Sequence, residues 1–209
     1  INDCGATDID GNYYETFQIG EQLWMAENLK ATHYNNGDEI PTGFSNVDWG
    51  ELSTGAYAVY DINPNNADIY GNLYNWYAVD DNRRICPEDW HVPSDEEWKQ
   101  LEMYLGMSQE EVDEIFDRGT DEGGKLKELG TEYWEDPNTG ATNESGFTAL
   151  PAGSCWGDDC TNLGKKTFYW TATGTLGNAT LRSLNYDNSM IGSVNQAMKT
   201  GLSVRCVSD

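Results

Sequence analysis

The segment Asp8-Ile9-Asp10-Gly11-Asn12 places oxygen-bearing side chains at alternate positions around a glycine. Calcium prefers hard oxygen ligands of this kind, so Asp8, Asp10 and Asn12 are predicted metal ligands. The segment lacks the bidentate glutamate that completes a helix-loop-helix calcium site, and an ordinary Asp-Gly turn between strands is the alternative. The same five residues thus predict either a calcium site or a tight turn.

A second group of candidates surrounds a tryptophan. Cys155 and Cys160 are close enough in sequence to close one loop with a disulfide. Between them lie Trp156, Asp158 and Asp159, which are predicted ligand-binding residues, because a tryptophan held in a closed loop loses little entropy when it binds a partner. The alternative is a solvated loop whose tryptophan packs inward.

The segment Asn185-Tyr186-Asp187-Asn188 supplies the other predicted ligand contacts. Tyrosine combined with asparagine and serine is typical of adaptable contact surfaces. Like the two aspartates of the cysteine loop, Asp187 also offers oxygens to calcium. The alternative is again a solvated loop.

Few residues suit catalysis. The chain has 2 histidines, and His91 stands between Trp90 and Val92 at a predicted helix entrance, where a packed, hydrogen-bonded ring is expected. The sequence contains no Gly-x-Ser-x-Gly turn, no phosphate-binding glycine loop and no His-Glu-x-x-His helix. A non-catalytic protein is therefore predicted.

Charge and composition restrict the partners. The formal net charge of -24 would repel phosphate backbones and anionic lipids, so nucleic acid is not an expected partner. No run approaches the roughly 20 apolar residues that span a bilayer, so direct membrane insertion is not expected. The acidity fits either the solubility of an exported or salt-adapted protein, or carboxylates that bind calcium.

Cysteine usage indicates an oxidising compartment. None of the 5 cysteines forms a Cys-x-x-Cys pair or lies with histidines at zinc spacing, so disulfides are the economical explanation. This predicts an extracellular or cell-surface location. Cys4 is the odd cysteine, and it is free, joined to another chain, or the partner of a cysteine assigned elsewhere.

Strand signals open the chain and helix signals occupy its middle. The pattern from Tyr13 to Met25 predicts a hairpin, and residues 41–66 are expected to be mostly loop. Ser94 with Glu97 forms a capping box that begins a helix, which Gly106 ends. Further short helices are predicted over residues 108–116 and 125–129, separated by a pair of glycines.

Strand signals return near the carboxyl end. Four segments are predicted strands, namely residues 147–153, 168–173, 180–186 and 202–207. The last two are expected to pair across the connection 187–200. The predicted fold is one α+β domain over residues 1–209, with an antiparallel sheet built from both chain ends, two to three mid-chain helices and long loops.

Five ordered blocks resemble the Fibrobacter succinogenes major paralogous domain family. They are Gly20-x-x-x-Trp24-Met25-Ala26-Glu27-Asn28-Leu29, Tyr70-Gly71-x-Leu73-Tyr74-Asn75-Trp76, Cys86-Pro87-x-x-Trp90-His91-Val92-Pro93-Ser94, Gly146-Phe147-x-Ala149-Leu150-Pro151-Ala152-Gly153 and Ser203-Val204-Arg205-Cys206-Val207. The resemblance runs over essentially the whole chain. It implies a secreted or cell-surface bacterial module with a C-type lectin-like fold, related to the formylglycine-generating enzyme fold.

The resemblance also implies a disulfide between Cys86 and Cys206, which would tie the last strand to the region of the first helix. A related domain of bacterial adhesins binds peptides with calcium, which makes calcium the implied cofactor here. The sequence departs from sugar-binding lectin domains, because it has no Glu-Pro-Asn or Gln-Pro-Asp loop and its strand at Trp170 lacks the Asn-Asp pair.

The sequence therefore predicts an extracellular bacterial recognition or adhesion module that binds a protein, peptide or surface glycan. One alternative is a structural subunit of a surface layer or filament that self-assembles through the same loops. A further alternative is a divergent enzyme of the formylglycine-generating type, although Cys206 has no neighbouring cysteine to form the reactive pair.

Overall fold

A computed structural model describes residues 5–209 as a mixed α+β protein with mostly antiparallel sheets and a few short helices. The prediction for Cys4 lies outside the described residues. The helices are α1 (Asn46–Glu51), α2 (Pro64–Tyr70), α3 (Trp76–Val79), α4 (Asp95–Leu105), α5 (Gln109–Val112) and α6 (Glu122–Leu126), with a 3-10 helix at Tyr60–Ile62. The strands are β1 (Ala6–Thr7), β2 (Tyr13–Tyr14), β3 (Thr16–Ile19), β4 (Gln22–Met25), β5 (Tyr57–Ala58), β6 (Leu73–Tyr74), β7 (Trp90–His91), β8 (Phe116–Arg118), β9 (Ser154–Trp156), β10 (Asp159–Thr161), β11 (Lys166–Thr175), β12 (Asn178–Asn185), β13 (Ile191–Ala197) and β14 (Val207–Ser208).

One antiparallel sheet joins the two ends of the chain. Its strand order is β3-β4-β14-β7, and Val207 of β14 pairs with Trp24 on one side and with His91 on the other. The predicted hairpin forms its first two strands. The expected meeting of the chain ends is therefore confirmed.

The second four-stranded sheet has the order β11-β12-β13-β8. The predicted pairing of residues 180–186 with residues 202–207 is wrong, because β12 pairs with β13, which lies inside the expected connection. Strand β13 contains Gly192, Ser193, Asn195 and Gln196, which have little strand propensity, so its pairing comes from tertiary context. Leu202 and Ser203 instead make isolated bridges to β6 and β11, respectively.

The bounds of the mid-chain helices agree better with the predicted capping residues than with the predicted apolar faces. The capping boxes at Ser94 and Ser108 both form, and Gly106 caps the end of α4. The extension of the second helix to Phe116 is wrong, because α5 ends at Val112 and Phe116 pairs with the β13 strand. Of its expected apolar face, Val112 is buried but Ile115 and Phe116 are exposed, so the last two residues do not hold a helix against the core.

The third helix begins earlier than predicted and contains the two glycines instead of following them. A Cβ on Gly123 would lie 2.3 Å from the Met190 carbonyl oxygen, and one on Gly124 would lie 2.1 Å from that of Gly140. These glycines therefore allow two backbones to approach α6 closely. They are packing positions within a helix.

Two further expectations are corrected. Residues 147–153 form isolated bridges at Ala149 and Gly153 and no strand. Residues 41–66 hold helix α1 and the start of α2, which begin at the side-chain caps of Ser45 and Asn63. Both helices are too short for an apolar repeat to reveal them.

Aromatic rings fill the core between the sheets and α4. The ring centroids of Trp24 and Trp98 lie 5.1 Å apart, and those of Phe147 and Tyr169 lie 5.5 Å apart, at edge-to-face angles. The Trp98 and Phe147 centroids, 5.7 Å apart, connect the two pairs. Strand β4, which pairs with the terminal strand, is thus packed against α4.

Candidate ligand-binding groove

The predicted cysteine loop is a closed hairpin. Strands β9 and β10 pair antiparallel, and the disulfide joins Cys155 to Cys160 directly across them, which confirms that pairing. Trp156 is 38% exposed, so its ring is neither packed inward nor fully open to solvent. The disulfide therefore closes the hairpin that carries the partly exposed Trp156 ring.

The hairpin docks on the amino end of α1 through a reciprocal pair of hydrogen bonds. The Asn46 backbone N–H donates to Asp158 Oδ1 at 3.1 Å, and the Asp159 N–H donates to Asn46 Oδ1 at 3.0 Å. Gly157 has φ 63°, and a Cβ there would lie 2.9 Å from the Asn46 nitrogen. Only glycine allows this approach without displacement of α1.

A cavity of about 770 Å³ opens beside this junction. We call it the groove. Its walls are α1, α2, β5, the 3-10 helix, the segment 42–45 and the tip of the cysteine hairpin, together with the side chains of Asp10 and Asn12 from the amino-terminal turn. The structure therefore brings part of the predicted metal turn and part of the predicted ligand loop to one place.

Aromatic side chains form the apolar part of the groove. Trp49 is buried, its indole N–H donates to the Lys199 carbonyl, and the Lys199 ammonium donates to the Gly50 carbonyl. The Phe44 ring lies edge-on to Trp49 with centroids 6.4 Å apart. Tyr57 is half-buried and also lines the groove. The aromatic surface is therefore held in place before any ligand arrives.

The 3-10 helix at the rim has an unfavourable backbone. Asp61 has φ 52° and Ile62 has φ 54°. A β-branched residue rarely adopts this left-handed region, and residues held there persist only where the surroundings enforce it. Ile62 is nevertheless 72% exposed and lines the groove, so the strained backbone presents an apolar side chain to solvent.

Two charged side chains at the groove, those of Lys30 and Asp10, already form ion pairs or hydrogen bonds within the protein. Lys30 contributes a cation, whose Nζ lies 2.6 Å from Glu27 Oε2. The Asp10 carboxylate accepts hydrogen bonds from Thr32 and from the His33 ring. Burial raises the pKa of Asp10, but these hydrogen bonds outweigh burial, so its pKa lies below the ordinary value. Asp10 is thus an ionised group that the protein already satisfies.

Asn72 is the buried polar residue of the groove wall. It is 2% exposed, and its Nδ2 donates to the Lys30 carbonyl at 2.8 Å. No residue of the described part of the chain donates to Asn72 Oδ1. A buried acceptor without a donor is costly, so this oxygen is a local cost to stability inside the wall.

The predicted calcium residues form a hydrogen-bonded turn. Asp8 is buried, and its carboxylate accepts from the backbone of Asp10 and Asn12, from the Asn12 amide and from the Tyr14 hydroxyl at 2.6 Å. Among residues 5–209 there is no cluster of three or more His, Cys, Asp or Glu arranged to hold a metal. A calcium ion at Asp8 would have to displace these donors, and calcium binding stays a prediction.

The segment Asn185–Asn188 lies away from the groove, so the structure does not bring the two predicted ligand loops to one cavity. Its backbone is held by Lys127, whose buried Nζ donates to the carbonyls of Asn185, Asn188 and Thr139 at 2.9 Å each. Tyr186 accepts from Thr139 through its own carbonyl. Burial lowers the pKa of Lys127 to about 8.

Sequence reasoning missed the helical walls of the groove. Asn63-Pro64 is a helix-start signal, with an N-cap side chain and proline at the first helical position, and it would have located α2. Ser45 with Asp48 is a similar cap for α1. Nothing local in the sequence marks Ile62 or Asn72, because their roles depend on distant segments.

The comparisons with known proteins give one result. A family model described as the Fibrobacter succinogenes major domain matches residues 17–208. No curated protein and no solved structure matches significantly. The two disulfides fit a secreted protein. Within residues 5–209 no helix has both the length and the apolar character to cross a bilayer.

Proposed function

Since the chain belongs to the Fibrobacter succinogenes major domain family, we propose that it is a non-catalytic, extracellular bacterial recognition or adhesion module with a C-type lectin-like fold. Its ligand is a protein, a peptide or a surface glycan, and it binds in the groove. The order of elements supports the fold: a terminal hairpin, central helices, a long irregular region and a last strand that returns to the first.

The groove is the observation that carries this proposal. A cavity of about 770 Å³ has the size of a typical ligand site, and its walls combine aromatic surface with a few polar groups. The disulfide across the cysteine hairpin and the hydrogen bonds to Asn46 fix one wall in advance. A preformed wall lowers the ordering cost of binding.

The environment of Cys206 supports a non-catalytic role. This cysteine is fully buried and bonded to Cys86, with Cα atoms 6.0 Å apart. A formylglycine-type enzyme needs an accessible reactive thiol, and the thiolate is the reacting form of cysteine. We therefore place recognition ahead of catalysis.

The proposal is tested by blocking the groove. Ala67 lines it from α2, so Ala67→Trp fills the space without removing a polar contact. Leu176→Trp is the matched control, because Leu176 is fully exposed at the tip of the β11–β12 hairpin and does not line the groove. The wild type is first screened on a peptide array and a glycan array, and the affinities for the best ligands are then measured for all three proteins.

We expect Ala67→Trp to lose at least about tenfold in affinity and Leu176→Trp to bind as the wild type does. Equal binding by the Ala67 variant would remove the groove as the site. No binding on either array, together with concentration-dependent polymers in sedimentation, would favour a structural subunit of a surface layer or filament.

A further inference from the structure

Among residues 5–209, the charged side chains that line the groove without an ion-pair partner are carboxylates. We infer that the groove binds a lysine or arginine side chain presented by a protein or peptide partner. This inference rests on the proposed function and specifies its ligand.

Two aspartates provide the charge. Asp68 on α2 and Asp158 on the cysteine hairpin both line the groove and are exposed. Asp68 makes no hydrogen bond or ion pair with any residue in the range 5–209, and Asp158 accepts one hydrogen bond, from the Asn46 backbone. Both carboxylates therefore retain the capacity to bind a cation.

The cation already at the groove does not neutralise these carboxylates. Lys30 is paired with Glu27 on its own segment, at 2.6 Å. Asp10 is likewise paired with His33, at 2.5 Å. With these pairs set aside, Asp68 and Asp158 are the free charges of the groove, on walls formed by different elements.

The aromatic walls suit the rest of such a side chain. Lysine and arginine carry three or four methylene groups below the charge, and these pack on apolar surface while the charged head reaches polar groups. Phe44 and Tyr57 offer that surface, and their ring faces also attract cations. The groove therefore combines an apolar channel with acceptors, which matches a long cationic side chain.

The experiment changes the probe and the protein separately. The probes are the random-sequence hexapeptides that the wild type binds best, each made again with citrulline for arginine and norleucine for lysine. The variant is Asp68→Asn with Asp158→Asn, in which the new amide oxygen still accepts from Asn46. The control, Glu88→Gln with Glu110→Gln, removes two exposed carboxylates outside the groove and has the same net charge.

We expect the neutral probes to bind the wild type at least about tenfold more weakly than the cationic ones, and the aspartate variant to lose about tenfold for cationic probes alone. The control should lose less than about twofold. Best binders without lysine or arginine, or an equal loss in the control, would overturn the inference. If the preferred ligand is a glycan or a neutral peptide whose binding Ala67→Trp weakens, the inference about a cationic side chain is wrong but the proposed function stands. If Ala67→Trp does not weaken binding of any ligand, both the inference and the groove as the binding site are wrong.

Discussion

Cys86 is bonded to Cys206 although 120 positions separate them in sequence. The bond lies in the core beside the sheet in which Val207 pairs with Trp24 and His91. The carboxyl end is therefore held by a covalent bond and by strand pairing at once. The pairing implied by the family resemblance is confirmed.

The long disulfide loop predicts a large contribution to stability. Replacing both Cys86 and Cys206 by alanine should lower the free energy of unfolding by about 4 to 5 kcal/mol, because the closed loop restricts the unfolded chain. The double alanine variant of Cys155 and Cys160, which are 5 positions apart, should lose only about 2 kcal/mol. Urea denaturation measures both, and equal losses would contradict the chain-entropy explanation.

A buried ionic cluster joins α4 to the second sheet. Glu102 lies 2.6 Å from both Arg118 Nη2 and Arg182 Nε, and all three side chains are almost fully buried. Glu102→Gln should cost about 3 to 5 kcal/mol, because it leaves two buried guanidinium groups with too little negative charge.

Glu96→Gln, on the exposed face of the same helix, should change stability by less than about 0.5 kcal/mol. Denaturant melts of both variants provide the comparison. A loss below about 1 kcal/mol for Glu102→Gln would mean that water reaches the arginines.

His91 links the helix start to the carboxyl end and gives stability a defined pH dependence. Its ring lies 2.7 Å from Glu97 and 2.5 Å from Asp209, which confirms a hydrogen-bonded histidine. The bond to Glu97 is the main cause that raises the pKa of His91. Burial opposes ionisation of Glu97, but the bonds from His91 and Ser94 outweigh it and lower the pKa of Glu97 to about 2.

The two shifts have opposite signs. The stabilisation from His91 is complete below its unfolded pKa of about 6.5 and is lost as pH rises through its higher folded pKa. The stabilisation from Glu97 is present above its unfolded pKa of about 4.5 and is lost as pH falls toward 2. The stability difference between wild type and His91→Gln should therefore peak between about pH 4.5 and 6.5. A difference that does not vary from pH 3 to 9 would rule out this ion pair.

The strained rim predicts a substitution that stabilises the fold. Ile62→Gly should raise the free energy of unfolding by about 1 kcal/mol, because glycine adopts a positive φ without steric cost. It should also weaken ligand binding, since the exposed side chain is lost. Ile69→Gly, at a partly exposed position inside α2, should lower stability by about 1 kcal/mol. A loss of stability in both variants would argue against strain at Ile62.

The turn at Asp8 predicts the response to calcium. Because its carboxylate already accepts from four donor groups, the melting temperature in 5 mM calcium should equal that in a chelator within about 1 °C. A rise of more than about 5 °C that disappears in Asp8→Asn would establish the calcium site of the competing hypothesis. Thermal melting at both conditions decides between them.

Local chemistry explains which elements could be predicted. The capping boxes of Ser94 and Ser108 involve neighbours three residues away, so the sequence contains their whole pattern. Strand β13 and the glycines of α6 depend on partners from remote segments, and their residue types alone indicate turns. Tertiary contacts override propensity there.

The same distinction applies to the groove. The Cys155–Cys160 hairpin was predictable from its short spacing. The position of Asp10 and Asp68 beside this hairpin was not predictable, because these residues are far from it in sequence and no single segment contains the pattern of the groove.

Lys127 carries its positive charge on the chain itself, among the three carbonyl oxygens that fix the Asn185–Asn188 loop. The cation that fixes this loop is consequently part of the chain, so a chelator cannot remove it. The hold on the loop depends on pH. Above a pH of about 8 the Lys127 ammonium loses a proton, and the two N–H groups that remain leave one of the three carbonyl oxygens without a donor.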